Sequence, residues 1–373
     1  MYTFELSDKF LSGEEKAIFR NSLYYYGVDE GIWEVFTCLF RSAVKGTIPL
    51  LLKVYDDSKL CGATILIKCS RYGRALFNNK LLSGLIDFTG IPFYLWIKFG
   101  CCMDMMSNPG FVRDPEKSND LHSAMAVFLK ASCFLTIIYD YSDKTYLYKN
   151  ATILPSLPHA LIDVSQMTGI DDYICNYKSI RRKINIFKNN GGKFELAHNS
   201  LDEQDIASVR KCFISTAGKS IFYLPYQDLY LNSALITSGT QIDNAYYFIM
   251  RLNGEFLGYQ AAIKTGTCLN ALHGAFDRER KTTFHAYDIL FVEMTRFAIE
   301  NGLRTIDFGS VLNITKQRMV NTTMPMSYFM LSKYSIVQWF FYRLLKLTKI
   351  QGDKQMKFRE DDLPKEIQMP GRY

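Results

Sequence analysis

The chain has 373 residues, of which 48% are hydrophobic and 22% are charged, and its formal net charge is +7. This length and apolar content suffice for two cores and exclude an intrinsically disordered protein. The nine cysteines have no repeated metal-type spacing, which favours a reducing compartment over a disulfide framework. There is no secretory signal pattern and no uncharged apolar run of about 18 residues. We therefore expect a cytoplasmic protein that holds no metal, with a basic surface suited to phosphates or an anionic membrane rather than to DNA.

The first half of the chain contains helical patterns on either side of an apolar hairpin. Ser12 precedes Glu14 and Glu15, an order typical of a capped helix start. Residues 80–116 are interrupted by glycine and proline and give no clear assignment. The pattern predicts helices within 1–45 and 119–130, and strands at 48–54, 60–69 and 133–139.

The second half repeats that order after a break at Pro155 and Pro158. Asn253-Gly254 marks a tight turn between two paired strands. The predicted helices are 170–188, 201–215, 225–237, 284–301 and 335–350. The predicted strands are 194–197, 245–252, 255–264, 268–276, 304–308 and 324–331.

One short internal similarity connects the two halves. The segment Leu60-Cys-Gly-Ala-Thr-Ile-Leu-Ile-Lys68 aligns with Phe256-Leu-Gly-Tyr-Gln-Ala-Ala-Ile-Lys264, with glycine and lysine at the same offsets. Each segment is the second strand of a predicted hairpin. We infer two copies of one α/β unit, with the first at 1–160, the second at 161–350 and a polar tail at 351–373.

A basic turn lies between a predicted strand and a long apolar helix in the segment 272–290. Free backbone N–H groups at such a helix start favour an anion, and the side chains of Arg280, Lys281, Thr282 and Thr283 would add donors. The structural alternative is a solvated turn with threonine as a cap.

Four motifs occur in order along the second half of the chain, namely Tyr177-Lys-Ser-Ile-Arg-Arg-Lys183, Leu257-Gly258, Gly274-Ala-Phe-Asp277, and Ile306-Asp-Phe-Gly309 with Lys316 downstream. These motifs and the order of the elements resemble the GNAT acyltransferase superfamily. The similarity covers residues 165–335 and is strongest to the branch with Fem peptidoglycan aminoacyltransferases and acetyltransferases of bacterial cellulose and exopolysaccharide synthesis. The resemblance implies a tandem fold of mixed, mostly antiparallel sheets flanked by helices, and a role in the cell envelope or in polysaccharide synthesis.

The resemblance also implies an activity and its donor. We expect an acyl group to move directly from acyl-CoA, or from acyl-carrier protein, to an amine on a small molecule, sugar, lipid or peptide. The superfamily's pyrophosphate loop is Gln/Arg-x-x-Gly-x-Gly/Ala, whereas Arg280-Lys-Thr-Thr-Phe-His-Ala286 lacks the central glycine. Two alternatives therefore stay open, namely a Fem-like aminoacyltransferase that uses aminoacyl-tRNA and a non-catalytic binding module.

Candidate site residues follow from the strand positions and from the resemblance. His273 and Asp307 are candidate bases, Lys316 is a candidate donor contact near the transferred carbonyl, and Tyr287 is a candidate proton donor. Each has a structural alternative as a capping, packing or solvated side chain. The predicted donor-binding residues are Ala275, Phe276, Arg280, Lys281, Thr282, Thr283 and His285.

Two predicted helices carry clusters of basic residues. Arg181, Arg182 and Lys183 could reach phosphates or form a solvated face. The terminal helix 335–350 is apolar and carries Arg343, Lys346 and Lys349. It is suited either to a peripheral membrane contact or to packing on its own domain.

Overall fold

A computed structural model describes residues 2–25, 30, 33, 36–37, 40, 46–70, 80–97, 110–155, 158–177, 179–217, 244–277, 284–310 and 318–350. These residues form two mixed β-sheets flanked by helices. The strands of the first half are β1 (Tyr2–Ser7), β2 (Thr47–Asp56), β3 (Lys59–Cys69), β4 (Phe93–Ile97), β5 (Phe111–Val112), β6 (Thr136–Tyr141), β7 (Thr152–Pro155) and β8 (His159–Asp163). Those of the second half are β9 (Gly192–His198), β10 (Ala245–Leu252), β11 (Glu255–Thr265), β12 (Cys268–Phe276), β13 (Thr305–Ser310), β14 (Thr322–Met324) and β15 (Met326–Leu331).

The described α-helices flank the two sheets. A capping box begins the first helix, in which the Ser12 N–H donates to Glu15 Oε2 (2.8 Å) and the Glu15 N–H donates to Ser12 Oγ (3.3 Å). The helices are α1 (Gly13–Tyr25), α2 (Lys80–Thr89), α3 (Ser118–Ser132), α4 (Ile170–Ile174), α5 (Ile180–Asn189), α6 (Glu203–Ala217), α7 (Ala286–Glu300) and α8 (Ser335–Ile350).

The two sheets share one plan. The first has the order β1-β2-β3-β4-β6-β15-β7, with β5 paired to β3, and the second has the order β9-β10-β11-β12-β13-β8-β14. Among the described strand pairs, β4–β6 and β12–β13 are parallel and the others are antiparallel. The predicted mixed, mostly antiparallel fold is confirmed.

Each sheet takes its sixth strand from the other half of the chain. The strand β8 directly follows β7 but pairs with β13 in the second sheet. The strand β15 follows β14 across Pro325 but pairs with β6 and β7 in the first sheet. The sheets therefore do not follow the predicted division at residue 160, because strand pairing connects segments far apart in sequence. The predicted strand 324–331 is two strands in different sheets for the same reason.

The internal similarity falls on equivalent strands, β3 and β11. In each, the register shifts by one residue directly before the glycine, so that Gly62 pairs with Val54 and Gly258 pairs with Met250. A bulge at the same place in both hairpins supports the inferred repeat.

Three apolar cores fill the space around the sheets. One lies against the outer face of the second sheet under α4, α5 and α7, and another lies under α3 on the first sheet. The third contains inward-facing residues of both sheets, including Ile65, Ile137, Tyr247 and Ala261. Because both sheets contribute side chains to this core, the two halves of the chain pack against each other.

Two local predictions were wrong. Tyr2, Phe4 and Leu6 alternate with polar residues, and the segment forms β1 rather than a helix, with the Phe4 ring stacked 4.4 Å from the Phe128 ring. The predicted helix 170–188 is broken between α4 and α5, where the Asn176 side-chain amide donates to the Asp172 carbonyl (3.1 Å). The predicted helix 225–237 lies outside the described residues.

Candidate active site

The parallel strands β12 and β13 form a fork. They pair at three positions, ending with Asn270 opposite Asp307. Beyond this point the backbone edge of β12 no longer pairs with β13, and the register of β12 against β11 shifts by one residue between Ala271 and His273. The strand β13 is also irregular after Asp307, where Gly309 has a φ of +68°. Two neighbouring bulges thus open the sheet at its centre.

A buried histidine–carboxylate pair lies at the fork. The Nδ1 atom of His159, on β8, is 2.9 Å from Oδ2 of Asp307, on β13. The side chains are 9% and 2% exposed. The other carboxylate oxygen, Oδ1, accepts the Gly309 N–H at 2.7 Å. Both oxygens are held, so the carboxylate fixes the direction of the imidazole ring.

The pair faces the space between the two sheets. Phe308 stacks on Phe291 of α7, with 3.9 Å between ring centroids, so Asp307 points to the opposite face of the sheet. On that face the His159 ring is 5.7 Å from the ring of Tyr139, on β6 of the first sheet. Tyr139 in turn contacts Tyr328 of β15, at 5.1 Å. Both sheets therefore contribute side chains around His159.

Asn270 supports the same polar centre from β12. Its side-chain amide donates to Thr265 Oγ1 (2.8 Å) and to the Ile263 carbonyl (3.2 Å). The residue is fully buried. These hydrogen bonds offset the free-energy cost of burying the amide, and they hold β12 beside Asp307.

Residues 176–311, which include the fork, match a family model described as an acetyltransferase (GNAT) domain. Residues 176–311 are therefore similar to a GNAT domain. No curated protein sequence matches the chain.

Solved structures with the same fold extend over nearly the whole chain. One is the DUF2156 C-terminal domain of a protein described as a lysylphosphatidylglycerol synthetase from Agrobacterium fabrum, with a TM-score of 0.55, 10% identity, and coverage of 90% of this chain and 96% of that one. Another is L-PGS from Bacillus licheniformis, with a TM-score of 0.52, 9% identity, and coverage of 92% and 99%. FemX is also similar, with a TM-score of 0.49, 12% identity, and coverage of 90% and 100%. At these identities the first two establish the fold alone.

Some of the residues predicted to form the site lie at the fork. Asp307 lies at its base, and His273 lies on the adjacent bulge of β12, paired with Ala261. Ala275 and Phe276 are buried on opposite faces at the end of β12. The predicted residues Arg280, Lys281, Thr282, Thr283 and Lys316 lie outside the described residues.

The start of α7 follows the end of β12, as predicted for the donor end of the site. His285 precedes the helix with a φ of +53°. The Tyr287 ring packs against the rings of Phe276 (5.7 Å) and Phe291 (5.1 Å). Tyr287 therefore contributes to the core of the GNAT domain and supports the strand end.

The basic helix predicted at 181–183 is partly used within the fold. Lys183 forms an ion pair with Asp288 in the first turn of α7, which joins α5 to that helix. Arg181 pairs with Asp171 at 3.0 Å, and both side chains are exposed. Lys183 thus neutralises the Asp288 carboxylate in the first turn of α7. Without this ion pair, that carboxylate would repel an anion at a helix end that otherwise favours one.

His159 was missed by the sequence analysis. Its partner Asp307 is 148 positions away, so no local spacing indicates the pair. The available signal was a lone histidine beginning an apolar strand, His159-Ala-Leu-Ile, directly after the break between the repeats.

No three His, Cys, Asp or Glu side chains in the described ranges lie together as a metal site. None of the helices that the structure describes is long and apolar enough to cross a membrane.

Proposed function

We propose that the chain is an N-acyltransferase in which an amine acceptor attacks a thioester donor at the fork between β12 and β13. One observation carries this proposal, the buried His159–Asp307 pair at the opening of the GNAT domain. The donor would be acyl-CoA or an acyl-carrier protein, and the acceptor an amine on a small molecule, sugar, lipid or peptide.

His159 is the general base of the proposed reaction. An amine enters as an ammonium and must lose a proton before its lone pair attacks the carbonyl carbon. Because Asp307 holds Nδ1, the Nε2 atom takes the proton, and the carboxylate stabilises the imidazolium that forms. A positioned base of this kind contributes roughly 10²–10⁴ in rate.

The bulge of β12 would receive the developing negative charge. Attack places charge on the thioester oxygen, and the backbone N–H groups near His273 lie where β12 has left β13. The C–N bond forms, the C–S bond breaks, and the leaving thiolate takes the second proton from the attacking nitrogen, while His159 later releases the first proton to water. The amide product and a free thiol result, with no covalent enzyme intermediate.

Thermal melting with different donors tests the donor class. A ligand at a hundredfold its dissociation constant stabilises a protein by about 2.7 kcal/mol. We expect acetyl-CoA or a long-chain acyl-CoA to raise the melting temperature and Arg280→Ala to lose the shift. A shift with bulk tRNA alone would favour the aminoacyl-tRNA alternative. No shift with any of these donors, together with no transfer from acyl-carrier protein, would favour a non-catalytic module.

His159→Gln tests the base. The variant should keep the donor-induced melting shift and lose transfer to a soluble amine by roughly 10²-fold or more. The matched control is His198→Gln, which changes a histidine of the same sheet on β9, the strand at the far edge from β8. A His159→Gln enzyme with the wild-type rate would contradict the assignment.

A further inference from the structure

The helix α8 has an apolar face that its own domain leaves uncovered. Ile336 is 74% exposed, Trp339 55% and Phe340 46%. Their spacing of three and four residues places them on one side of the helix. The opposite side of the helix faces the protein, where Phe341 and Gln338 are buried. The Gln338 side-chain amide donates to the Met330 carbonyl at 3.0 Å.

Basic side chains border this face, and carboxylates are missing from its sequence. The chain has no Asp or Glu between Asp307 and Asp353. Arg343 lies over the Trp339 ring at 5.5 Å, and Lys333 lies over the Tyr334 ring at 6.0 Å. Lys346 lies over the Tyr342 ring at 5.8 Å. Two of the cations, Arg343 and Lys333, are therefore held beside exposed rings, and Lys346 lies beside the partly buried Tyr342 ring.

We propose that this face of α8, formed by Ile336, Trp339, Phe340 and Arg343, docks onto the surface of an anionic lipid bilayer. Aromatic rings with a basic rim are the composition of helices that lie in a membrane interface. The helix lies flat in such an arrangement, because its inner side is anchored to β7 and β15 of the first sheet. Under the proposed acyltransfer function, docking would bring the fork to acceptor amines at the bilayer.

Charge decides between a bilayer and a second copy of the chain. Two copies meeting through this face would bring Lys333, Arg343 and Lys346 against the same cations, with no carboxylate on the helix to pair with them. An anionic lipid surface offers the opposite charge to every one of them, and each lysine or arginine near it adds to the attraction.

Tryptophan fluorescence reports docking directly. Trp33 and Trp96 are buried, at 5% and 1% exposure, so Trp339 is the tryptophan whose surroundings change on docking. We expect its emission to shift to shorter wavelength with vesicles of phosphatidylcholine containing phosphatidylglycerol. Pure phosphatidylcholine vesicles should give a weaker shift.

Vesicle sedimentation with variants locates the surface. Ile336→Ser/Phe340→Ser should abolish co-sedimentation, and Arg343→Ala/Lys346→Ala should weaken it roughly thirtyfold on anionic vesicles. The matched control is Phe88→Ser, which changes an 87% exposed phenylalanine on α2, next to Asp87. It should sediment like wild type. Because all these side chains are exposed, the melting temperatures should be unchanged.

Two results would contradict docking of α8 onto an anionic bilayer. One is wild-type protein that stays in the supernatant with anionic vesicles. The other is an Ile336→Ser/Phe340→Ser variant that becomes smaller in size-exclusion chromatography, because the face would then join two copies of the chain. Transfer to a soluble amine is measured in parallel. Loss of vesicle binding with intact transfer affects this inference, whereas loss of transfer alone affects the proposed function.

Discussion

The first sheet has the same central parallel pair of strands as the second, but its equivalent positions are apolar. Lys68 pairs with Tyr94 and Lys264 pairs with Leu269, so the next residues along, Leu95 and Asn270, are equivalent. Their parallel partners are Ile137 and Asp307. The sixth strand gives the same contrast, since Met330 pairs with Ile137 and Leu161 pairs with Asp307, which makes Tyr328 the counterpart of His159.

The difference separates what the fold requires from what the chemistry requires. Leu95 and Ile137 show that this plan closes with hydrophobic side chains at its centre. Burying Asn270, Asp307 and His159 there costs desolvation energy, which their hydrogen bonds offset. This contrast is consistent with the proposed reaction at the second sheet, because the packing of such a sheet does not by itself require polar residues there.

The largest effect should come from removing the exchanged strand. A chain ending at Met324 lacks β15, whose Phe329, Met330 and Leu331 are all fully buried or nearly so. Each such loss costs about 2–5 kcal/mol, and together they equal the whole stability of a typical domain. We expect loss of the near-ultraviolet circular dichroism of the protein. A chain ending at Ile350 keeps every described element and should melt like wild type. A native spectrum from the shorter chain would show that the first sheet closes without β15.

The next largest effect should come from changing equivalent residues in the central parallel strands of the two sheets. Asp307→Asn should lower the rate of transfer by about 10²-fold, because the amide no longer stabilises an imidazolium at His159, while donor-induced melting shifts remain. The equivalent change in the first sheet, Ile137→Val, should leave the rate unchanged and cost about 0.5–1.5 kcal/mol of stability. Equal losses of rate from both variants would indicate that the centres of both sheets contribute to the transfer reaction.

A smaller effect should follow from the ion pairs that join each sheet to a helix. Arg251 of β10 binds both carboxylate oxygens of Asp205 on α6 at 2.8 Å, and Lys53 of β2 binds Glu15 on α1. The Asp205 side chain is 7% exposed and the Glu15 side chain 22%. Arg251→Ala should cost about 3 kcal/mol in chemical denaturation, because it leaves Asp205 buried without its cation. Lys53→Ala should cost about 1 kcal/mol or less.

The pH dependence of stability tests whether the contribution of the Lys53–Glu15 ion pair is electrostatic. Burial opposes the ionisation of Glu15, but hydrogen bonds from Lys53 and Ser12 hold its pKa below the ordinary value of 4.5. Its contribution is therefore complete above that value and disappears as the pH falls through the lowered pKa. The difference in stability between wild type and Glu15→Gln should shrink in acid. A difference that is constant with pH would exclude an electrostatic origin.

The smallest effect should distinguish the two equivalent glycines. A Cβ at Gly258 would lie 2.3 Å from the Phe276 ring and 2.9 Å from the Ala275 carbonyl oxygen, whereas one at Gly62 would lie 3.3 Å from the end of the Met125 side chain. Gly258→Ala should cost about 1–3 kcal/mol and Gly62→Ala clearly less, measured as denaturation midpoints. Equal costs would mean that Phe276 moves aside freely.

The sequence predicted what depends on neighbouring residues. The hairpin of β10 and β11 was predicted because Asn253-Gly254 fixes its turn, and the repeat was found because Gly62 and Gly258 mark the same bulge. The position of Asp307 near a strand end was also predicted, while its role in a reaction stays a prediction. His159 and the exchange of β8 and β15 depend on pairing across more than a hundred residues, for which one sequence gives no local signal.

The exchange of β15 has a consequence for how the protein is made. Seven strands of the first sheet have been synthesised once Pro155 has emerged from the ribosome, yet β15, which joins β7 to β6, ends only at Leu331. At the usual speed of synthesis this interval is on the order of ten to thirty seconds. Throughout it, the nascent chain presents the open edges of β6 and β7, which are templates for unwanted pairing. The first sheet is therefore begun before the second sheet and is completed only after every described strand of the second sheet has been translated.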